Sequence, residues 1–283
     1  MYNSLRKLFT LLKQTGQAFW AQRGLQKSAA FAYYTVFALP GLLLITLSVA
    51  SVAFDAEHVQ RQVLETLGTY LGTDTAGTIE AMIAHVRSQA TDLTVATTGG
   101  VLALLFGATG AFSQLQVALN EVWGIDQLST RGGFKRFLKK RLLSFFVVLG
   151  MGFLLMLSLV SRALVAFIDR QMNQVMAESI VTTMMTGALF LLFFLITTLL
   201  IAILFKALPD LDVSWGNVIA GALVTAIGFT IGKELMSYFI SNSNFGSAFG
   251  AASSLAVILV WIYFSGAVLF FGAAFSREWS QKD

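Results

Sequence analysis

The sequence predicts an all-α fold: a polytopic membrane bundle of six transmembrane helices, both termini cytoplasmic, with an extracytoplasmic helical hairpin. Three observations carry this reading. The 283 residues are 56% hydrophobic and only 12% charged, about half the charge of an average soluble domain. Six apolar runs are long enough for a helix to cross lipid, which takes roughly 20 residues. The Lys and Arg residues gather beside alternate runs instead of spreading evenly.

The runs cover residues 28–54, 93–115, 142–161, 183–205, 213–240 and 251–275. Each is continuous, whereas barrel strands alternate, and only a helix satisfies its own backbone hydrogen bonds in lipid. Small residues, Ser51-Val52-Ala53, end the first run. That run is nevertheless too long for the apolar core of a cleaved signal peptide, so it is read as a span. Orientation follows from the cations, which are retained on the cytoplasmic side. Arg6, Lys7, Lys13, Arg23 and Lys27 precede the first run, and Arg131, Lys135, Arg136, Lys139, Lys140 and Arg141 separate the second from the third. Lys206 follows the fourth run, and Arg277 and Lys282 follow the sixth. Arg61, Arg87, Arg162 and Arg170 fall on the other side, and Lys233 lies within the fifth run.

Residues 1–27 read as a cytoplasmic amphipathic helix. Leu5, Leu8, Phe9 and Leu12 recur at helical spacing, with Arg6, Lys7 and Lys13 on other faces, a pattern suited to an anionic leaflet. Residues 55–92 show helical spacing twice, through Val63, Leu64 and Leu67 and again through Ile79, Met82 and Ile83. The glycine-bearing stretch 72–77 reads as the turn between them, giving an acidic outer hairpin. Residues 116–141 form a basic cytoplasmic loop and 277–283 a cytoplasmic tail, so 28–276 is one membrane domain. Clustered cations also suit nucleic-acid phosphates, but topogenic charge accounts for them. The partners expected are membrane lipids, with anionic headgroups at the cytoplasmic face, and no nucleic acid.

Within the membrane, Gly107, Gly110, Gly228, Gly232, Gly246 and Gly250 mark helix-packing positions, because small residues let helices approach closely. The same faces leave room for a homo-oligomer. Pro40 removes a backbone donor and predicts a kink or break in the first span. Tyr33, Tyr34 and Thr35 put hydroxyls just before it. Lys233 and Glu234 are charges within the fifth run, where ionisable groups are expensive. Neighbouring positions lie about 100° apart on a helix, so they need not pair, and Lys233 is near enough to the run's end to snorkel. Asn120 follows the second run, and Asn242 and Asn244 lie in the polar link before the sixth. These residues, Pro40 included, are the candidates for a substrate path. Tight packing and a bland kink are the simpler explanations, and an ordinary connection explains the polar link as simply.

Catalytic constellations are sparse. His58 and His85 are the two histidines, in no HExxH spacing, and GxSxG, P-loop and Rossmann patterns are absent from the sequence. The chain is therefore expected to be no enzyme, with no catalytic residue, metal or cofactor.

Several blocks carry a resemblance. Ala30-Phe31-Ala32-Tyr33-Tyr34-Thr35-Val36-Phe37-Ala38-Leu39-Pro40 resembles the opening signature of the YihY/virulence factor BrkB family of bacterial inner-membrane proteins. Gly110–Asn120 with Trp123, Lys206-Ala207-Leu208-Pro209-Asp210, Asn244–Gly250, Val260-Trp261-Ile262-Tyr263 and Leu269-Phe270-Phe271-Gly272-Ala273 resemble later blocks in the same order. That family often places Glu after the last Gly-Ala, where this chain has Ala274. The resemblance implies a multi-pass protein of the bacterial cytoplasmic (inner) membrane, linked in some members to serum resistance or to lipid and lipopolysaccharide export. It also carries an old ribonuclease BN label, which two separated histidines do not support. The function expected is a transporter or flippase-like protein for an amphiphilic or lipid-like anionic substrate. A non-catalytic membrane scaffold or envelope assembly factor is the alternative.

Overall fold

The structure, a computed structural model, describes residues 2–50, 56–89, 110–111, 113–125, 178–242 and 253–282. Among these every regular element is a helix: α1 (Tyr2–Ala21), α2 (Gly24–Ala50), α3 (Ala56–Leu71), α4 (Thr73–Gln89), α5 (113–122), α6 (Glu178–Ala207), α7 (Trp215–Asn242) and α8 (Ser253–Ser280). Three are long and apolar enough to cross a membrane, at Gly187–Ala207 in α6, Trp215–Met236 in α7 and Ser253–Ser280 in α8. The first expected span coincides with α2 as far as Ala50. Expected span 142–161, most of 93–115 and the basic residues 131–141 lie outside the described residues.

Helix α8 is the hub, with α7, α2 and α1 packed along it. Its contact with α7 is set by small residues. A Cβ added at Gly221 would lie 2.6 Å from Gly272 O, one at Gly272 would collide with Thr225 Oγ1, and one at Gly228 would lie 2.7 Å from Val268. Gly232 sits under the Phe264 ring. As α7 ascends from Gly221 to Gly232, α8 descends from Gly272 to Phe264, so the two run antiparallel. Another face of α8 meets α2, where Ser28 and Phe31 lie against Gly266 and the Phe31 and Phe270 rings meet edge to face. In lipid, such close approach supplies the dispersion energy that the hydrophobic effect supplies in water.

Several boundaries differ from the sequence reading. The leading helix ends at Ala21, and residues 24–27 already belong to α2. Arg23 adopts φ 56° between them, a left-handed conformation that turns the chain. Helix α2 continues through Pro40, so of the kink or break expected there no break occurs; the backbone acceptor that proline leaves open is tolerable within a packed bundle. The hairpin turn is one residue, Gly72 at φ 88°, because Thr73 and Asp74 already begin α4 and the Thr78 hydroxyl donates back to Asp74 O at 3.0 Å. Gly77 is therefore helical. The start of the expected loop 116–141 is helical too, through 122, since Ala118, Leu119 and Val122 are buried against α6, α7 and α8.

The α3–α4 hairpin docks through Val63, Leu64, Ile79 and Ile83, which cluster with Ala32 of α2 and with Ile258 and Ile262 of α8. Ile258 and Ile262 lie in the half of α8 remote from Arg277, so the hairpin packs beside that half.

Candidate functional site: a polar knot at the basic end

Helix α5 carries two amides one turn apart, Gln116 and Asn120, on an otherwise apolar buried surface. Their partner is Asp210, in the link that Pro209 forces after α6. Asn120 Nδ2 donates to Asp210 Oδ2 at 2.8 Å, and Gln116 Nε2 donates to the same oxygen at 3.2 Å. Asp210 N donates in return to Asn120 Oδ1 at 2.9 Å. One side chain thus grips both the carboxylate and the backbone of a residue 90 positions away. Hydrogen bonds to a charged group contribute about 1.5–3 kcal/mol each.

Immediately after Asn120, α5 stops in a Schellman motif. Ile125 N donates to Asn120 O and Gly124 N to Glu121 O, with Gly124 at φ 73°. Arg277 of α8 caps the same end, Nη1 donating to Val122 O at 2.9 Å, and its cation meets the negative end of the helix dipole. Lys27 of α2 pairs with Glu121 at 2.9 Å, with side chains 12% and 41% exposed. Beside them, Ser276 Oγ donates to Asn217 O at 2.7 Å. Lys206 Nζ donates to Val213 O at 2.7 Å and lies 3.3 Å from Asp212. Directional bonds therefore tie α2, α5, the α6–α7 link, α7 and α8 together at one end. Gln22 Oε1, between α1 and α2, and Trp123 Nε1, just after α5, are buried with no hydrogen bond to a described residue.

Among the described residues, the sequence candidates lie on α2, α5 and α7. Asn120 is buried at 5% exposure and its amide is spent on Asp210. Tyr33 faces outward, 58% exposed, its ring against Phe37. The Tyr34 ring covers Gly110, and the Thr35 hydroxyl donates to Phe31 O at 2.7 Å within its own helix. Lys233 and Glu234 do pair, at 3.5 Å. Their place explains how α7 tolerates them: Lys233 stands about 27 Å along the helix from Trp215 at about 1.5 Å per residue, near the far side of a core about 30 Å thick. Exposed Trp215 at one end of α7 and Tyr238 at the other are about 35 Å apart on the same rise, the spacing of the two aromatic belts of a span. Asn242 ends α7; Asn244, Gly107, Gly246 and Gly250 lie outside the described residues.

Sequence reasoning missed the role of Gln116, Glu121, Asp210 and Arg277. The available signal was two amides at i and i+4 on an apolar helix, which must find a polar partner. Among the described residues no three His, Asp or Glu side chains gather where a metal ion could be held.

Comparison with known proteins finds similar membrane proteins. A UPF0761 membrane protein of Teredinibacter turnerae is 26% identical over 265 residues, 90% of this chain and 57% of its own length. Another, from Alcanivorax borkumensis, is 26% identical over 281 residues, 98% of this chain and 61% of its own. The chain thus spans about three fifths of the length of these curated relatives. No solved structure matches. The family model described as virulence factor BrkB matches residues 15–283, and this membrane protein belongs to that family.

Proposed function

We propose that this protein is a non-enzymatic transporter or flippase-like carrier of the bacterial cytoplasmic membrane, moving an amphiphilic, lipid-like anion, with the polar knot as its closed inner gate. The Asn120–Asp210 clamp carries this reading. Asn120 is buried, so its amide must keep a polar partner, and this clamp joins segments that belong to different helices. Its bonds are few and directional, so a small relative movement of α5 and the α6–α7 link breaks all of them together. Cations at Lys27 and Arg277 stand beside the clamp to receive an anionic headgroup once it opens. Both termini are then cytoplasmic, on the side of the knot.

The test is flux in proteoliposomes made with the full chain and a panel of fluorescent anionic and zwitterionic lipids and organic anions. Movement of at least one anionic class, accelerated or made leaky by Asp210→Ala, is the expected outcome. No protein-dependent movement of any class, with the chain folded, overturns the reading.

One observation favours a second reading, a membrane scaffold. The Thr35 hydroxyl donates within its own helix and the Asn120 amide donates to Asp210, while Tyr33 faces outward. A scaffold predicts no flux, and loss of cellular function on Gly232→Leu but not on Lys233→Ala or Glu234→Ala.

A further inference from the structure

Helix α1 has two occupied directions, and only one of them is used inside the protein. Leu11 and Thr15 are buried at 2% and 0% exposure, and the Phe19 ring meets Phe271 of α8 edge to face at 5.9 Å. The opposite side presents Phe9 at 72% and Trp20 at 71% exposure, with Leu12 at 39% on its flank. Arg6 and Lys13 are exposed as well. At about 100° per residue, both fall within about 60° of Phe9 and Trp20 on the helical wheel, so the cations and the large apolar side chains share one face. No acid occurs before Asp55, so the face has no intrinsic counter-charge nearby in sequence.

The composition of the face selects its occupant. Large aromatic side chains mixed with cations on a helix docked to the end of a membrane-crossing helix match the boundary between acyl chains and anionic headgroups. There the rings lie below the headgroups, and the cation stems reach up to them. A protein groove would accept the rings but leave Arg6 and Lys13 at its rim without need. We infer that the Phe9–Leu12–Trp20 face of α1 binds the surface of an anionic lipid leaflet, so that α1 is a strut between that leaflet and α8. Of the positions the spacing suggests, Phe9 and Leu12 are on this face, and Trp20 joins them because Leu11, Thr15 and Phe19 turn toward the bundle. The inference stands apart from the transport reading and holds for a carrier or a scaffold.

The test uses the full chain, which has no cysteine of its own. Phe9→Cys and, separately, Trp20→Cys receive a nitroxide label, and the protein is reconstituted into vesicles of phosphatidylcholine with or without phosphatidylglycerol. Collision of the label with oxygen and with a water-soluble nickel chelate reads its depth. Both labels are expected to be oxygen-accessible and chelate-shielded in the anionic vesicles. They are expected to be shallower in the zwitterionic vesicles and shallower again in Arg6→Glu, Lys13→Glu protein. Equal depth in both vesicle types, or depth indifferent to the charge reversal, overturns the anionic assignment. A label open to the chelate everywhere overturns membrane contact, and one shielded from both reagents shows a protein partner in place of lipid. Agreement between the two labelled positions guards against local disruption by either substitution.

Discussion

Two regions of the bundle are held by different physics. At the basic end, the Asn120–Asp210 clamp, the Lys27–Glu121 pair and the Arg277 cap join five segments through a few atoms at defined distances. Away from it, the α3–α4 hairpin is held by Ile79, Ile83, Val63 and Leu64 against Ala32, Ile258 and Ile262, by area and shape. Apolar burial is non-directional and yields gradually. A hydrogen-bonded clamp keeps its energy over a narrow range of geometry and then loses it at once. A part that switches belongs in the first kind of region, and a part that seals in the second.

Breaking the apolar region is expected to have the largest effect. Ile83→Ala removes a side chain 1% exposed and should cost about 3 kcal/mol, transfer and cavity together, read as a fall in the denaturation midpoint in detergent. Proteolysis of the loosened hairpin should accelerate while α6, α7 and α8 stay protected.

Asp210→Ala follows, at about 2–3 kcal/mol, because it strands the amides of Asn120 and Gln116. A double-mutant cycle sharpens the contrast. Asn120→Ala with Asp210→Ala should be non-additive by about 1 kcal/mol or more, while Ile83→Ala with Asp210→Ala should add within about 0.5 kcal/mol. Coupling between the two regions of similar size would erase the distinction.

How much of this the sequence disclosed follows the same division. The residues that seal are legible: Val63, Leu64, Ile79 and Ile83 recur at helical spacing, and the glycines at 228 and 232 announce close packing. The residues that clamp are not, because periodicity reports which face is buried and says nothing of a partner 90 positions away. The end of α5 was obscured for a related reason. Amides at 116 and 120 read as the start of a loop until Asp210 satisfies them. Even in α1 the period was visible, but the side taken by the bundle depends on Phe271, which only the folded chain brings near.

Smaller effects complete the series. Lys27→Met should lose about 1 kcal/mol, since Glu121 is exposed enough to regain water. Glu234→Gln, whose side chain is 72% exposed, should stay within about 0.5 kcal/mol and leave transport unchanged. A large loss there would move the working part of the molecule away from the basic end.

The most direct test of the gate closes it by force. Asn120→Cys with Asp210→Cys, introduced into a chain that has no other cysteine, can be bridged by a short thiol-specific cross-linker that reduction removes. In proteoliposomes carrying the lipid or anion moved by the intact chain, the account predicts that bridging abolishes movement and reduction restores it. Equal movement before and after bridging, or none in any state, would contradict it.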